Sequence, residues 1–285
     1  MSNRLTGITR YALRVLRGAA VYAVLLGWSL WIGFPLYWLL VTALRRPQDV
    51  GGFPLVPFVD FVPTTQGLER AFVPGSLATQ ALGNSVFVSV GSACFALVFG
   101  AMAGYGLARF QYGIGPLSND RIRLGFLGQR LFPVAVLAVP YLLLFRTLDL
   151  LDSPLGILIG EVGFGAPFFA WLVCDFFKAL PRDIEESAML DGCSRLAVLR
   201  HIVVPLSAPA LAAAFTLVFI SAWNDYFLAL VVTFSQSVTL PLYIQAHPTP
   251  AVIVVSILPP VLVGLVAQRA LARGLSFGVI GQTSA

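Results

Sequence analysis

From Gly18 to Leu44 the chain carries no charged side chain, and the same is true from Thr79 to Ala108, from Ala208 to Asn224 and from Ala251 to Gln268. A helix needs about 20 predominantly apolar residues to cross the hydrocarbon core of a bilayer. Two further apolar runs, one ending near Phe145 and one from about Pro154 to Phe177, bring the number of candidate spans to six. Composition agrees: 58% of residues are apolar and 11% charged, whereas a soluble domain has roughly a quarter of its residues charged. In lipid a helix satisfies its own backbone polar groups. The expected fold is an all-α membrane protein with six transmembrane helices.

The boundaries follow from the charges and prolines. Residues 1–17 form a segment with Arg4, Arg10, Arg14 and Arg17 ahead of the first run, which is too long for a signal-peptide core. Pro35 is expected to kink that first span. Residues 45–78, with Pro47, Pro54, Pro57, Pro63 and Pro74, read as an external loop containing short helical pieces. The second span, from about Thr79 to Arg109, contains Gly100-Ala101-Met102-Ala103-Gly104, small residues that permit close helix contact within a bundle. The third follows the loop at 110–123, the fifth runs from Ala208 to Val232, and the last from Ala251 to Leu271 around Pro259-Pro260. The transmembrane domain thus covers 18–277, and 278–285 is a short tail.

Orientation can be read from the basic residues. An even number of spans places both termini on one side. If that side is cytoplasmic, only Arg45, Arg46, Arg70 and Arg146 fall outside, leaving fourteen of the eighteen basic residues inside. That is the bias the positive-inside rule requires, so both termini are expected in the cytoplasm. The net charge of +5 is spread over these loops and not gathered into a patch, so it does not suggest nucleic acid. Cys94, Cys174 and Cys193 form no CxxC pair, and His201 and His247 are far apart, so no metal or disulfide framework is expected.

The most informative polar stretch is Lys178 to Ser207, between spans four and five. Pro181 marks a boundary, and Asp183 is placed to cap a helix through Glu185, Glu186, Ala188 and Leu190. Gly192 suits a sharp helix end. A second helix, from Arg195 to Val203, would put Leu196, Leu199 and Val203 on one face, with Arg200 and His201 away from it. Two short amphipathic helices at the cytoplasmic surface serve either to anchor a loop or to dock a partner.

The residues alone leave both open, and a resemblance favours docking. Glu186-Ser187-Ala188-Met189-Leu190-Asp191-Gly192, followed by Ile202-Val203-Val204-Pro205, resembles the EAA signature of binding-protein-dependent ABC importer permeases, with Ser187 in place of an alanine and Val204 in place of a leucine. Asn84-Ser85, Ala108-Arg109-Phe110, Trp223-Asn224-Asp225, Thr239-Leu240-Pro241 and Arg273-Gly274-Leu275 extend the resemblance to the maltose-type, carbohydrate-uptake class. The connection between Leu240 and Pro260 is shorter than in that class, and the segment after Arg109 more polar.

The resemblance implies a coupling loop at about 178–207, in which Glu185, Glu186, Ala188, Leu190, Asp191, Gly192, Leu196, Ile202 and Pro205 meet a cytoplasmic ATP-binding subunit. The chain has no GxxxxGK[ST] loop, so ATP and its Mg are expected on two partner ATPase subunits and no cofactor on this chain. The other implied partners are a second, homologous permease, an extracytoplasmic substrate-binding protein and the lipid of a bacterial plasma membrane. The chain is then a transport subunit and not an enzyme.

Polar groups inside spans are costly and often functional. Glu161, Asn224 and Asp225 lie at depths that helical rise makes comparable, and with Trp223 and Asn84 they are the candidates for a path lined for sugar hydroxyls; Gln129 is a weaker one, and Arg130 is expected to snorkel to the inner surface. The expected cargo is a sugar or oligosaccharide, with a polyol or glycerophosphate-type solute as the alternative. A stand-alone secondary transporter would need inverted halves of matching pattern, and none is visible. An intramembrane enzyme would need a nucleophile–base pair or metal motif within the spans, and none is found.

Overall fold

The computed structural model describes residues 2–46, 55–112 and 118–280. Pro47 and Pro54 of the expected external loop lie outside the described residues, as do the tail at 281–285 and the side chains of 2–15 and 273–280, which include Arg4, Arg10, Arg14, Arg273 and Leu275. Among the described residues the regular elements are all helices joined by short turns and loops, with one isolated bridge between Pro57 and Phe61. It divides into two compact units, one of residues 1–71 with 249–254, the other of 72–248 with 255–285.

The first unit is built on α1 (Ser2–Ala43), a helix that continues through Pro35, and α2 (Gln66–Ala71), the short helical piece expected in the external loop. The apolar residues of α1 are displayed: Trp31 is 78% exposed and Tyr22 75%, as suits a helix whose solvent is lipid. At its end the Arg45 guanidinium lies over Trp38 and Phe61, 5.1 and 5.4 Å from the ring centroids. The Asp60 carboxylate accepts from the Leu55 and Val56 amides at 2.7 and 2.8 Å. These backbone bonds, Val56 foremost, hold Asp60 below the usual carboxylate range.

The second unit is organised by two long helices, α3 (Leu77–Arg109) and α6 (Pro154–Ala179), packed along their length. Small residues allow that approach. A Cβ on Gly100 would come within 2.7 Å of Phe169 Cβ and 2.9 Å of the Ala166 carbonyl; one on Gly104 would meet Val173 and Ala170 at 2.8 and 3.0 Å. The GxxxG pair therefore serves packing within the chain. Ser89 and Ser92, both fully buried, return their hydroxyls to the Ser85 and Val88 carbonyls of their own helix, which lets hydroxyls sit in an apolar core.

Around this pair lie α4 (Asn119–Gly128), a 3-10 turn (Gln129–Leu131) and α5 (Val134–Thr147). The coupling segment contributes α7 (Arg182–Leu190), α8 (Arg195–Val198), a π turn (Leu199–Val203) and α9 (Val204–Leu206). Then follow α10 (Ala208–Trp223), α11 (Phe227–Val232), α12 (Leu240–Ala246) and α13 (Pro250–Ile280), the last shared between the two units. An apolar cluster of Val88, Phe145, Ile157, Leu228, Ala229 and Val232 closes one end. At the other, Arg123 bonds Asp175 at 2.6 Å and ties α4 to α6.

Among the described residues, four helical stretches are long and apolar enough to cross a membrane: Leu16–Ala43, Leu77–Arg109, Pro154–Ala179 and Pro250–Ala272. Two bent pairs raise the number to as many as six. Asn119–Leu131 meets Ala135–Thr147 at 97°, and Arg195–Leu206 meets Ala208–Trp223 at 83°.

The expected third and fifth spans thus differ from what is found. In the third, Phe132 takes an extended ψ of 130° and Pro133 precedes the first residue of α5, because the residue before proline is pushed out of the helical region. In the fifth, α10 stops at Trp223. The Asn224 amide turns back to the Ile220 carbonyl at 2.8 Å, and the Asp225 carboxylate takes the Leu228 amide at 3.0 Å to start α11. Polar side chains that bond nearby backbone compete with helix continuation in this way.

Candidate functional site

The coupling segment is held from below by the last turn of α3. Arg109 Nε and Nη2 donate to Glu185 Oε1 at 2.8 and 2.5 Å, Nη2 also reaches the Leu180 carbonyl at 3.1 Å, and the Tyr105 hydroxyl donates to Glu185 Oε2 at 2.7 Å. Both ends of this ion pair are buried, with side-chain exposures of 5% and 6%. One residue further on, Phe110 lies under the Arg195 guanidinium, whose carbon is 5.0 Å from the ring centroid. Arg109 and Phe110 therefore hold α7 and α8 respectively, one helix on each side of the turn.

The turn itself is a helix end closed by Gly192. Its φ of +89° is left-handed, its amide donates to the Met189 carbonyl at 3.1 Å, and the Cys193 amide reaches the Ala188 carbonyl at 3.0 Å. This pair of bonds is a Schellman motif, and glycine fits it without steric cost. Helix α7 begins at Arg182 behind Pro181, with no side-chain cap. The expected cap by Asp183 is corrected to a first-turn position, where the helix dipole still favours a carboxylate. After the turn, Ser194 caps α8 by accepting from the Ala197 amide at 3.3 Å.

The expected second helix is present and runs on from Arg195 to Leu206, with a π turn over Leu199–Val203. A π turn takes more residues per revolution, so Leu196 is rotated out. It is 66% exposed, while Val198, Leu199 and Val203 are buried at 1%, 8% and 0%. Arg200 and His201 are exposed, as expected, and Ile202 half-buried. Of the paired glutamates Glu185 is inward and Glu186 outward, with Asp191 and Pro205 also exposed and Ala188 half-buried. Leu190 is 90% exposed. The loop thus presents Leu190 and Leu196 on either side of a rigid turn whose other face is tied to α3.

Within the helices, Glu161 and Asp225 come together as expected, lining one cavity of about 130 Å³ with Gln129, Arg130 and Ser221. Arg130, expected to snorkel to the inner surface, is exposed but turned toward this cavity. It stands at the break before α5, its guanidinium carbon 4.3 Å from the Phe168 ring centroid and Nη1 bonded to Ser221 Oγ at 2.9 Å. The bend at Pro133 turns it back toward α6 and α10.

The remaining candidates lie elsewhere. Trp223 is 2% exposed, stacks on Phe219 and donates its indole N–H to the Ser256 carbonyl at 3.0 Å. Asn224 bonds its own helix. Asn84 donates to the Gln236 and Val238 carbonyls, each at 3.0 Å, and the neighbouring Ser85 hydroxyl accepts from the Leu240 amide at 2.7 Å. Asn84-Ser85 and Thr239-Leu240-Pro241, distant in sequence, are one contact.

Asp152, which the sequence did not single out, closes the same end. Its carboxylate accepts amides of Phe234, Ser235, Gln236 and Ser237 and the hydroxyls of Ser235 and Ser237, at 2.8 to 3.1 Å. Partial burial disfavours the charge, but the Ser235, Phe234 and Ser237 bonds outweigh it and hold the carboxyl far below its ordinary range. No sequence signal pairs Asp152 with a serine-rich loop more than eighty residues away.

Long apolar helices, a polar cavity among them and a rigid turn offered at one end define a multi-pass membrane transport subunit. The family described as binding-protein-dependent transport system inner membrane component matches residues 96–277. The sulfoquinovosyl glycerol transport system permease protein SmoH of Agrobacterium fabrum is 31% identical over 255 residues, covering 86% of this chain and 87% of that protein. The trehalose transport system permease protein SugB of Mycobacterium tuberculosis is 30% identical over 281 residues, 93% of this chain and 98% of that protein. In fold the chain is similar to a chain of a bacterial ABC transporter involved in import of the acidic polysaccharide alginate, with a TM-score of 0.68 at 24% identity over 88% of this chain and 95% of that one. The chain belongs to the family of binding-protein-dependent transport system inner membrane components, the permease subunits of ABC importers.

Proposed function

We propose that this chain is one of two permeases that together form the path for a sugar or oligosaccharide through a bacterial plasma membrane, driven by ATP hydrolysed on partner subunits. The observation that carries the reading is the turn at Gly192. It displays Leu190 and Leu196 while Arg109, Tyr105 and Phe110 fix the loop beneath them. Exposed leucines on a preorganised turn lose little entropy on docking. Glu186 and Asp191 add charged contacts at the rim, and Ala188, Ile202 and Pro205 shape the loop.

The partners are a second homologous permease, two ATP-binding subunits that hold ATP and Mg, and an extracytoplasmic substrate-binding protein. Residues 119–147, broken at Pro133, make one span and residues 208–232, broken at Asn224 and Asp225, another, giving six with the four long helices, with both termini and the loop at 178–207 in the cytoplasm. Closure of the ATPase pair moves α7 and α8, and the buried Arg109–Glu185 pair passes that motion to α3 and hence to α6 as a rigid-body shift. Glu161 and Asp225 line the path. The sugar reading is supported by relatives named for sulfoquinovosyl glycerol and trehalose.

Purification of the tagged chain from its own host in mild detergent, with mass spectrometry of what accompanies it, tests the reading. An ATPase, a second multi-pass permease and a binding protein are expected. Recovery of this chain alone, at native expression and after cross-linking, would count against it and favour a single-chain transporter.

A further inference from the structure

The turn formed by residues 55–61 of the external loop is tied back onto α1. The Tyr37 hydroxyl donates to the Leu55 carbonyl, and the Thr64 amide donates to the Leu44 carbonyl at 2.8 Å. Phe34, exposed on α1, stacks on Trp38 with 6.3 Å between ring centroids, and the Arg45 guanidinium covers both Trp38 and Phe61. Aromatic contacts thus run without a break from the displayed face of the span into the turn.

The depth of the turn follows from helix length. The uncharged run from Gly18 to Leu44 is 27 residues, about 40 Å at helical rise, enough for the hydrocarbon core together with its headgroup layers. Tyr37 stands seven residues inside Leu44, about 10 Å nearer the bilayer centre. Its side chain leans toward the helix N-terminus, further inward. The Leu55 carbonyl that it holds is therefore level with the boundary between headgroups and acyl chains, where tyrosine and tryptophan collect.

The chemistry of the turn suits that depth. Its backbone N–H groups from Leu55 to Asp60 are all satisfied internally, Pro57 having none. Leu55 and Val56 donate to the Asp60 carboxylate, Phe58 to the Phe61 carbonyl at 2.8 Å, and Val59 and Asp60 to the Val56 carbonyl at 3.3 and 2.9 Å. A loop in water has no need of such closure, whereas backbone beside acyl chains does. Asp60 is the only charged residue between Asp49 and Glu69. At the tip Phe58 takes a left-handed φ of +66°, a costly conformation for a bulky residue. Even so, Phe58 is 83% exposed and Val59 79%.

We propose that residues 55–62 form a lipid-binding wedge. Phe58 and Val59 enter the acyl-chain margin of the leaflet at the C-terminal end of α1, while Asp60 and Arg45 stay among the headgroups. The occupant is lipid because the turn continues the lipid-facing surface of α1 at the same depth. A binding protein that docks and departs would return this patch to water at each departure, and soluble surfaces seldom carry such patches without a partner. The wedge fixes the depth of the first span. It goes beyond the permease reading and requires only that α1 crosses the bilayer.

Photochemical cross-linking tests the wedge. A benzophenone amino acid replaces Phe58 in the whole importer, which is reconstituted with its binding protein in liposomes of phosphatidylethanolamine and phosphatidylglycerol. After irradiation the adducts are identified by mass spectrometry. Phospholipid adducts are expected, several-fold more abundant than those formed by the same amino acid at Glu69, an exposed position on α2. Replacement of Val59 in the same way keeps the test decisive if the Phe58 variant does not assemble. Adducts chiefly with another protein chain of the assembly, or lipid adducts no more abundant than at Glu69, would overturn the wedge.

Discussion

Arg109, in the last turn of α3, and Glu185, in the first helix of the coupling segment, form a buried two-pronged ion pair, with Nε and Nη2 both on Oε1 at 2.8 and 2.5 Å. Tyr105 occupies the other carboxylate oxygen, so both glutamate oxygens have partners. The pair makes the end of a membrane helix and the base of an exposed loop into one body.

Removing one partner should therefore cost more than removing both. Arg109→Met leaves Glu185 buried with only the Tyr105 hydroxyl, a loss of about 3–5 kcal/mol for an orphaned buried charge. The double variant Arg109→Met/Glu185→Met has no orphan and should recover part of it. Thermal unfolding in detergent reads the difference, and a double variant less stable than Arg109→Met would contradict the pairing.

Gly192→Asp forces an L side chain into φ +89°, which costs about 1–2 kcal/mol. The turn is at the surface and has open space around it, so the membrane fold should survive while the positions of Leu190 and Leu196 shift. The expected outcome is normal insertion with basal ATP hydrolysis no longer stimulated by solute-loaded binding protein. Normal stimulation in this variant would refute the role given to the turn.

Gly100→Ala tests the α3–α6 contact. The added methyl would approach Phe169 Cβ at 2.7 Å and the Ala166 carbonyl at 2.9 Å, and since one of these is backbone the helices must separate. Overpacking of this kind costs about 1–3 kcal/mol. Gly125→Ala, where the added methyl meets nothing within 4 Å, is the control and should leave the unfolding temperature nearly unchanged.

Asp152 gives a pH dependence of known sign. Its native carboxyl titrates below the unfolded value of about 3.9. Its contribution to stability is therefore complete above that value and is lost only as pH falls through the lower native one. The amides of Phe234 to Ser237 should stay protected from hydrogen exchange at pH 5 as at pH 7. In Asp152→Asn the same amides should exchange several-fold faster at both, and equal exchange in the variant would show that the carboxylate does not hold the loop.

Much of this was legible in the sequence, because the bilayer imposes a simple rule of length and polarity. Gly18–Leu44, save for Leu44 itself, Thr79–Arg109 and Pro154–Phe177 fall within helices of the structure. The motif around Gly192 read correctly as a turn, since few residues but glycine tolerate its backbone. What the sequence hid depends on side-chain partners. Nothing near Asp225 announces that its carboxylate starts a new helix, and hydropathy runs smoothly through the bend at Phe132 that brings Arg130 to Glu161. Trp223 looked available for a sugar and instead spends its N–H on Ser256. Glu185 and Glu186 are adjacent and alike in sequence, and only the location of Arg109 separates the buried one from the exposed one.

The central claim, that the turn at Gly192 seats on an ATPase subunit, is tested most directly by site-specific cross-linking at its most exposed residue. Leu190→Cys is introduced into the assembled importer, treated with a short bifunctional reagent, and the adduct identified by mass spectrometry. The account predicts a covalent adduct with the nucleotide-binding subunit, diminished when Gly192→Asp is added. Efficient labelling of the cysteine with no adduct to any nucleotide-binding chain in the intact assembly would contradict it.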